Sequence, residues 1–390
     1  TTSNGSGLNQ GQQDQTGLSP GTYNLIITDS NGNTTTGSFL ITEPSEVSLS
    51  SSLSNYNNFQ VSCYSGTDGS INITPAGGTG LYTYNWSTSN GSGLVQGQQD
   101  QSGLSAGNYS VTVTDSNGCS IVSNFSLTSP TQINLSSSLS NYNGFNITCN
   151  GEDDGSIDIS VSGGLLLSGA NYSYSWTTSD GSGLNPNSED QIGLTAGTYT
   201  VTVTDSNSCI LIESITLNES EPINIIETIS DYNGFQISQN GANDGSISLD
   251  VSGGTNNYTY SWTKTGDSSF TSTNKDLNNL SIGIYTVVVT DSNGCIQTES
   301  YNLSQPAQLL IGIDISAFAT NVLCYGDNTA SIKIDITQAS VGPYTYDLFG
   351  TDYLNQQYTQ TANNINNLTD TFNSIPAGEY QVKVTDANGS

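Results

Sequence analysis

The sequence predicts an all-β protein, a tandem array of β-sandwich domains of about 90 residues that forms an extended rod. Three observations predict this fold class: a turn sequence that recurs at nearly constant spacing, short segments in which apolar and polar residues alternate, and a composition low in charge but rich in glycine. Of the 390 residues, 33% are hydrophobic and 10% are charged. The chain is therefore neither a charge-rich disordered polymer nor a membrane-spanning protein.

The recurring sequence is Thr-Asp-Ser-Asn-Gly or a close variant. Its aspartates are Asp29, Asp115, Asp205, Asp291 and Asp386. A second marker, Asp-Gly-Ser or its equivalent, follows Cys63, Cys149, Gln239 and Cys324. We therefore divide the chain into five repeats. Repeat 1 (1–44) is the C-terminal part of a β-sandwich repeat, repeats 2 (45–130), 3 (131–222) and 4 (223–306) are complete, and repeat 5 (307–390) lacks its last strand.

Within a repeat, alternation identifies the buried side of each strand. In repeat 2 it predicts about seven short strands, one of them Phe59–Cys63. Tyr84 and Trp86 point to one side of their strand, and Tyr109 begins a matching apolar stripe on a later one. The predicted core residues of repeats 2 to 4 are Tyr84, Trp86, Tyr109, Tyr174, Trp176, Tyr199, Tyr260, Trp262 and Tyr285. Because the stripe recurs in every copy, it is interpreted as core rather than as a sugar-binding platform.

Gly107-Asn108-Tyr109 and its equivalents resemble the tyrosine corner of immunoglobulin-like sandwiches, in which a tyrosine hydroxyl binds an upstream backbone group. The Asn117-Gly118 pair that follows suits a tight hairpin turn. Each repeat is therefore expected to be an immunoglobulin-like β-sandwich.

The six cysteines occupy two positions of the repeat, and none forms a Cys-x-x-Cys pair of the redox or zinc type. The favoured interpretation has bridges within repeats, Cys63–Cys119 and Cys149–Cys209, because a seven-strand count brings both positions to the same end of the sandwich. The alternative joins neighbouring repeats through Cys119–Cys149 and Cys295–Cys324. Both schemes leave two cysteines over, since Gln239, Asn33 and Ser390 replace cysteine elsewhere. Either scheme favours an oxidising, extracellular environment.

The charge excludes several functions. With 34 acidic and 4 basic residues the net charge is −30, which opposes binding to nucleic acid and insertion into anionic membranes. The chain has no His, so the usual Ser-His and Cys-His catalytic pairs are absent, and no enzymatic activity or cofactor is expected. Asp115-Ser116-Asn117-Gly118 resembles the start of a calcium loop, but the remaining ligands of such a loop are missing. A hairpin turn is the preferred interpretation; metal ligands stay unassigned, and calcium between domains is the alternative.

Three motifs together resemble SprB-type repeats of the large surface adhesins of gliding Bacteroidetes. In repeat 3 they run from Cys149 to Ile157, from Gly163 to Trp176 and from Ala196 to Cys209. The resemblance covers essentially the whole chain, with departures at Gln239, Asn33, Ser390 and Leu348. It implies an exported cell-surface filament, delivered by the type 9 secretion system and moved by a membrane motor to produce gliding.

Under this resemblance the chain is a stalk segment, and strands of ordinary length give a rod on the order of 150 Å. Its expected partners are further repeats of the same chain, surface polysaccharide, and outer-membrane gliding or secretion machinery. One alternative is a carbohydrate-binding repeat array that uses Tyr56 and Tyr142 of the repeated Ser-Asn-Tyr-Asn sequence; the competing interpretation of those residues is a turn packed at a joint. Another alternative is a set of accessory domains of a secreted polysaccharide-degrading enzyme.

Overall fold

A computed structural model describes residues 1–312, 319–320, 324 and 326–389. Every regular element in these residues is a β-strand. Repeat 1 contains β1 (Gly21–Thr28) and β2 (Thr34–Ile41). Repeat 2 contains β3 (Ser48–Leu53), β4 (Gly69–Ala76), β5 (Thr83–Thr88), β6 (Gln101–Leu104), β7 (Gly107–Thr114) and β8 (Ser120–Leu127). Repeat 3 contains β9 (Thr131–Leu139), β10 (Gly155–Gly164), β11 (Ser173–Thr178), β12 (Gln191–Leu194), β13 (Gly197–Thr204) and β14 (Ile210–Leu217).

The remaining strands belong to the last two repeats. Repeat 4 contains β15 (Asn224–Ile229), β16 (Gly245–Ser252), β17 (Thr259–Lys264), β18 (Asp267–Ser272), β19 (Leu277–Leu280), β20 (Gly283–Thr290) and β21 (Ile296–Leu303). Repeat 5 contains β22 (Leu310–Gly312), β23 (Ala319–Thr320), β24 (Ala330–Gln338), β25 (Tyr344–Asp352), β26 (Gln357–Ile365), β27 (Thr369–Ile375) and β28 (Gly378–Thr385).

Each complete repeat is a sandwich of two antiparallel sheets. In repeat 2 the strand orders are β3-β4-β6 and β5-β7-β8. Repeat 3 repeats this plan with β9-β10-β12 and β11-β13-β14, and repeat 4 adds β18 to the edge of its second sheet. Repeat 5 has the corresponding sheets around β24 and β25, and repeat 1 supplies the β1–β2 hairpin. This arrangement is the immunoglobulin-like fold class that the sequence predicts.

Burial follows the alternation of the sequence. On β7, Tyr109, Val111 and Val113 are buried while the residues between them are partly exposed. The buried residues form four separate clusters, one in each of repeats 2 to 5, so each repeat has its own core.

The predicted core residues lie in or against these clusters. Trp86, Trp176 and Trp262 are at most 2% exposed. The fully enclosed tyrosines are Tyr109, Tyr199 and Tyr285; Tyr84, Tyr174 and Tyr260 are half-buried and pack against the clusters. In repeat 5, Leu348 stands where repeats 2 to 4 have tryptophan. Leu348 and Tyr346, both on β25, are buried in the core of this repeat.

Two of the buried aromatic residues of repeat 3 also pair their polar atoms. The indole N–H of Trp176 donates to the Ser188 carbonyl at 2.9 Å. The Tyr199 hydroxyl lies 2.7 Å from the Thr195 carbonyl and 3.0 Å from the Ser182 carbonyl, which is the geometry of a tyrosine corner. A Cβ atom at Gly181 would collide with this hydroxyl, which explains the glycine one residue before Ser182.

One predicted strand is wrong. Phe59–Cys63 forms no strand; it belongs to the loop between β3 and β4. In addition, β5 and β6 run in the same direction. The chain reverses in the two residues between β6 and β7, and β7 is antiparallel to β5. The chain between β5 and β6 must therefore return along the sandwich without forming a strand. Both differences change which loops share an end of the repeat.

Candidate functional site

Two loops at opposite ends of each complete repeat form the candidate site. We call residues 54–68, 140–154 and 230–244 the Tyr loops; each joins the first two strands of its repeat. We call residues 29–33, 115–119, 205–209, 291–295 and 386–390 the Asp turns; each follows the strand that carries the corner tyrosine. Ser390 lies outside the described residues.

The Tyr loop is fixed to its own repeat. In repeat 2, the backbones of Tyr56 and Phe59 pair with each other, and Asn57 between them has a positive φ of 51°. The N–H groups of Gln60 and Val61 both donate to the Thr128 carbonyl at 3.0 Å. These bonds hold the Tyr loop against the end of β8, where the next repeat begins.

The Asp turn is organised by one buried carboxylate. Asp291 Oδ1 accepts the N–H groups of Asn293 and Cys295 at 2.9 Å, and Oδ2 accepts that of Thr255 at 2.8 Å. Burial alone would raise the pKa of the Asp291 carboxyl, but these N–H donors outweigh it and lower the pKa below its usual range. Asp115 has the equivalent contacts, and its pKa is lowered by the same balance. This aspartate is therefore a structural anchor that orients the asparagine and cysteine after it.

Across the joint between repeats 2 and 3, that asparagine contacts the Tyr loop. Asn207 donates from Nδ2 to the Ser62 carbonyl at 3.0 Å. Its Oδ1 accepts from Asn57 Nδ2 at 2.6 Å. The Asn207 amide thus forms hydrogen bonds with both a backbone carbonyl and a side chain of the preceding repeat.

The same contact recurs at the next two joints. Asn293 accepts from Asn143 at 2.5 Å and donates to the Thr148 carbonyl at 3.1 Å. Asn388 accepts from Asn233 at 2.7 Å. Because three joints share the contact, it is a property of the repeat and not of one pair of residues.

A disulfide accompanies this contact at two joints. Cys63 is bonded to Cys209, and Cys149 to Cys295, each across a sequence separation of 146 residues. In the chain-entropy model, a bridge that closes such a loop contributes about 5 kcal/mol. We call the asparagine contact, with its disulfide where present, the inter-repeat clasp.

This pairing corrects the sequence prediction. The predicted bridges Cys63–Cys119 and Cys149–Cys209 are wrong, and so is the alternative that joined Cys119 to Cys149 and Cys295 to Cys324. The chain returns along the sandwich between β5 and β6, so the Tyr loop and the Asp turn of one repeat lie at opposite ends. A cysteine in the Tyr loop therefore meets the Asp turn of the following repeat. Cys119 and Cys324 are exposed and unbridged in the described structure.

The clasp residues carried a signal in the sequence that the prediction missed. Gln239 replaces the Tyr-loop cysteine of repeat 4, and Ser390 replaces the Asp-turn cysteine of repeat 5. The two cysteines are lost together from the one joint that they would bridge. The asparagines gave a second signal, because Asn57 and Asn207 recur in later repeats with similar spacing.

The candidate sugar-binding tyrosines lie in the clasp. Tyr56 and Tyr142 are half-buried, and their hydroxyls donate to the carbonyls of Asp68 and Asp154 at 3.2 and 3.3 Å. Asn293 also donates to the Tyr142 carbonyl at 3.1 Å. The Ser-Asn-Tyr-Asn sequence is thus a turn at a joint, the competing interpretation from the sequence.

Acidic residues near the clasp do not converge on a cation. Within the described ranges, no group of three or more Cys, Asp or Glu side chains has an arrangement that could hold a metal ion. Glu219 instead accepts the Gly151 N–H at 2.6 Å. A cleft of about 330 Å³ beside the Cys149–Cys295 bridge contains Glu152, Glu221 and Gln297 on its walls. None of the described residues forms an apolar helix of the length that crossing a bilayer requires.

Comparisons with known proteins match one segment in each of repeats 2 to 5 to a single family model. The family model described as "SprB repeat" matches residues 59–91, 145–181, 240–266 and 316–350. No curated protein matches the chain.

Two solved structures that are similar to this chain contain several domains or repeats in tandem. The tetra-tandem repeat in the extending region of a large adhesion protein is 15% identical, with 88% of this chain and 96% of that chain covered and a TM-score of 0.30. The N-terminal eight Ig domains of Down Syndrome Cell Adhesion Molecule are 12% identical with a TM-score of 0.28; the match covers 94% of this chain and 63% of that one, less than two thirds of its length. These low scores support no conclusion about function.

Proposed function

Because the chain carries four SprB repeats, we propose that it is a structural stalk segment of a large exported cell-surface adhesin filament. Its task is to support surface adhesion and gliding motility by holding an adhesive region away from the cell. The observation that carries this proposal is the inter-repeat clasp, which recurs at three joints. A protein built for reach needs strong, repeated joints between domains, and these residues supply them.

The oxidising environment outside the cell is compatible with the disulfides of the clasp. Disulfides persist in oxidising compartments, and two of them cross joints in this chain. We propose an extracellular, surface-bound location reached through the type 9 secretion system. The proposed partners include surface polysaccharide and outer-membrane gliding or secretion machinery.

Further repeats of the same chain are the partners that the clasp itself supports. Cys119 occupies the Asp-turn position whose equivalents, Cys209 and Cys295, bond to a preceding repeat. Cys324 occupies the Tyr-loop position whose equivalents bond to a following repeat. We propose that both form the same bridge with further repeats in the assembled filament.

A non-enzymatic role agrees with the grooves of the described surface. A groove of about 490 Å³ is lined mainly by Ser, Thr and Asn side chains beside Tyr109 and Phe125. Hydroxyl and amide groups without an adjacent base do not make a nucleophile. The carbohydrate-binding alternative loses support because Tyr56 and Tyr142 use their hydroxyls internally.

Two measurements test the proposal. Negative-stain electron microscopy of the purified chain should show a rod on the order of 150 Å, whereas a compact globule would contradict a stalk. Immunogold labelling of intact cells with an antibody against repeats 2 to 4 should mark filaments outside the envelope. Label confined to broken cells would refute a surface location.

A further inference from the structure

The two disulfides interleave along the chain. Cys149 lies between Cys63 and Cys209 in sequence, and Cys209 lies between Cys149 and Cys295. In space, Cys209 is at the end of repeat 3 that faces repeat 2, and Cys149 is at the end that faces repeat 4. A covalent path therefore enters repeat 3 at Cys209 and leaves it at Cys149, without using either peptide linker.

We propose that this path bears the tension applied to the chain and shields most of repeats 2 and 4 from mechanical unfolding. The proposal deepens the stalk function and rests on it for its biological purpose. The physical basis is that, when two covalent connections join the same two points, the shorter one becomes taut first. It then carries the tension, and the longer one stays slack. Each bridge shortens the connection, and the two together shorten it further because they share repeat 3.

The shielded strands can be identified. Strands β4 to β8 of repeat 2 lie between Cys63 and Cys149, inside the loop that the bridges close. Strands β15 to β20 of repeat 4 lie between Cys209 and Cys295, also inside a closed loop. Only β10 to β13 of repeat 3 lie on the direct path between the bridges.

The hidden length follows from residue counts. Between Cys63 and Cys295 the polypeptide has about 230 residues and could extend to about 800 Å. Through the bridges, only the segment of about 60 residues from Cys149 to Cys209 separates them, and it extends to about 200 Å. The bridges therefore withhold about 600 Å of extension.

The joint between repeats 4 and 5 differs from the two preceding joints because it has no disulfide in the described structure, and it therefore serves as an internal control. It keeps the hydrogen bond between Asn233 and Asn388, but Gln239 stands where Cys63 and Cys149 stand in their repeats. Within this chain, neither of the two bridges bypasses repeat 5. Under load it should unfold through its full length, whether or not the protein is oxidised.

Single-molecule force spectroscopy on the whole chain, held by handles at its two termini, tests the proposal. The oxidised protein should give one full-length event from repeat 5 and a shorter event of about 200 Å from repeat 3. Reduction should restore full-length events of about 300 Å from repeats 2, 3 and 4 and add about 600 Å to the total extension. An oxidised protein that extends as far as the reduced one would overturn the proposal.

Single bridges provide the sharper test because interleaved loops are not additive. C63S/C209S or C149S/C295S alone should add only about 90 Å to the oxidised extension, while removal of both bridges should add about 600 Å. With bridges within repeats, C63S/C209S would instead break both bridges and add about 400 Å, while C149S/C295S would break one and add about 200 Å; this unequal result would refute the load path.

The matched control is C119S/C324S, which removes the cysteines that form no bridge in the described structure. Its extension should equal that of the unmodified protein, and a longer one would mean that other pairings bear the load. If a serine variant fails to fold, reduction of the unmodified protein still measures the extension that the two bridges together withhold. The shielding result is independent of surface labelling, so failure of the load path and failure of the stalk function are distinguishable.

Discussion

Replacing Asp291 by Asn tests whether one buried carboxylate organises the Asp turn. The carboxylate accepts three backbone N–H groups at 2.8 to 2.9 Å, and an amide has only one accepting oxygen. The best amide rotamer keeps the two bonds at Oδ1 and turns its NH₂ group toward the Thr255 N–H. The buried Thr255 N–H is then unpaired, at about 1–3 kcal/mol, and the two remaining bonds lose their charge assistance.

The expected loss of local stability for D291N is about 2–4 kcal/mol. Hydrogen exchange of β20 amides, followed by mass spectrometry after peptic digestion, should accelerate by roughly 30- to 1,000-fold. D115N is the matched control, since Asp115 has the same bonds in a turn that meets no clasp in the described structure. It should accelerate exchange in β7, and only D291N should also accelerate exchange in the Tyr loop at 140–154. Unchanged exchange in β20 would refute the reasoning.

The other predictions concern acid, the core and the asparagine contact. Because the pKa of Asp291 is lowered in the folded state, its contribution to the free energy of unfolding is present above about pH 4 and is lost as the pH falls further. The urea concentration at the unfolding midpoint should therefore decrease as the pH is lowered below about 4, and D291N should make this decrease smaller. Trp176→Ala should cost about 3–5 kcal/mol in urea denaturation, and a cost under about 1 kcal/mol would contradict its place in the core. Asn207→Ala should increase exchange in residues 54–68 several-fold, whereas Asn117→Ala, at the equivalent position in repeat 2, should leave exchange across every joint unchanged.

Much of the fold was predictable because alternation reports directly on the face of a sheet. Trp86, Tyr109 and their equivalents point into the sandwich at every copy, so a local pattern identified the core. The tyrosine corner was equally accessible, since its partners lie within 17 residues of Tyr109. Each of these features depends on short-range order along the chain.

The joint was not predictable in the same way. Whether Cys63 meets Cys119 or Cys209 depends on the direction in which each strand runs. The strand directions that the sequence suggested are wrong for two reasons. Phe59–Cys63 forms a loop instead of a strand, and the chain between β5 and β6 returns along the sandwich without forming a strand. An extended segment without alternation gives no periodic signal. The paired loss of cysteine at Gln239 and Ser390 is the sequence signal that identifies the correct cysteine partner.

Disulfide mapping of the unreduced protein tests the clasp most directly. Peptic digestion at acidic pH suppresses thiolate exchange, so mass spectrometry of the linked peptides reports the native bridges. The clasp predicts linked peptides that contain Cys63 with Cys209 and Cys149 with Cys295. Recovery of Cys63 with Cys119 and of Cys149 with Cys209 would contradict it, because the bridges would then close single repeats and join none.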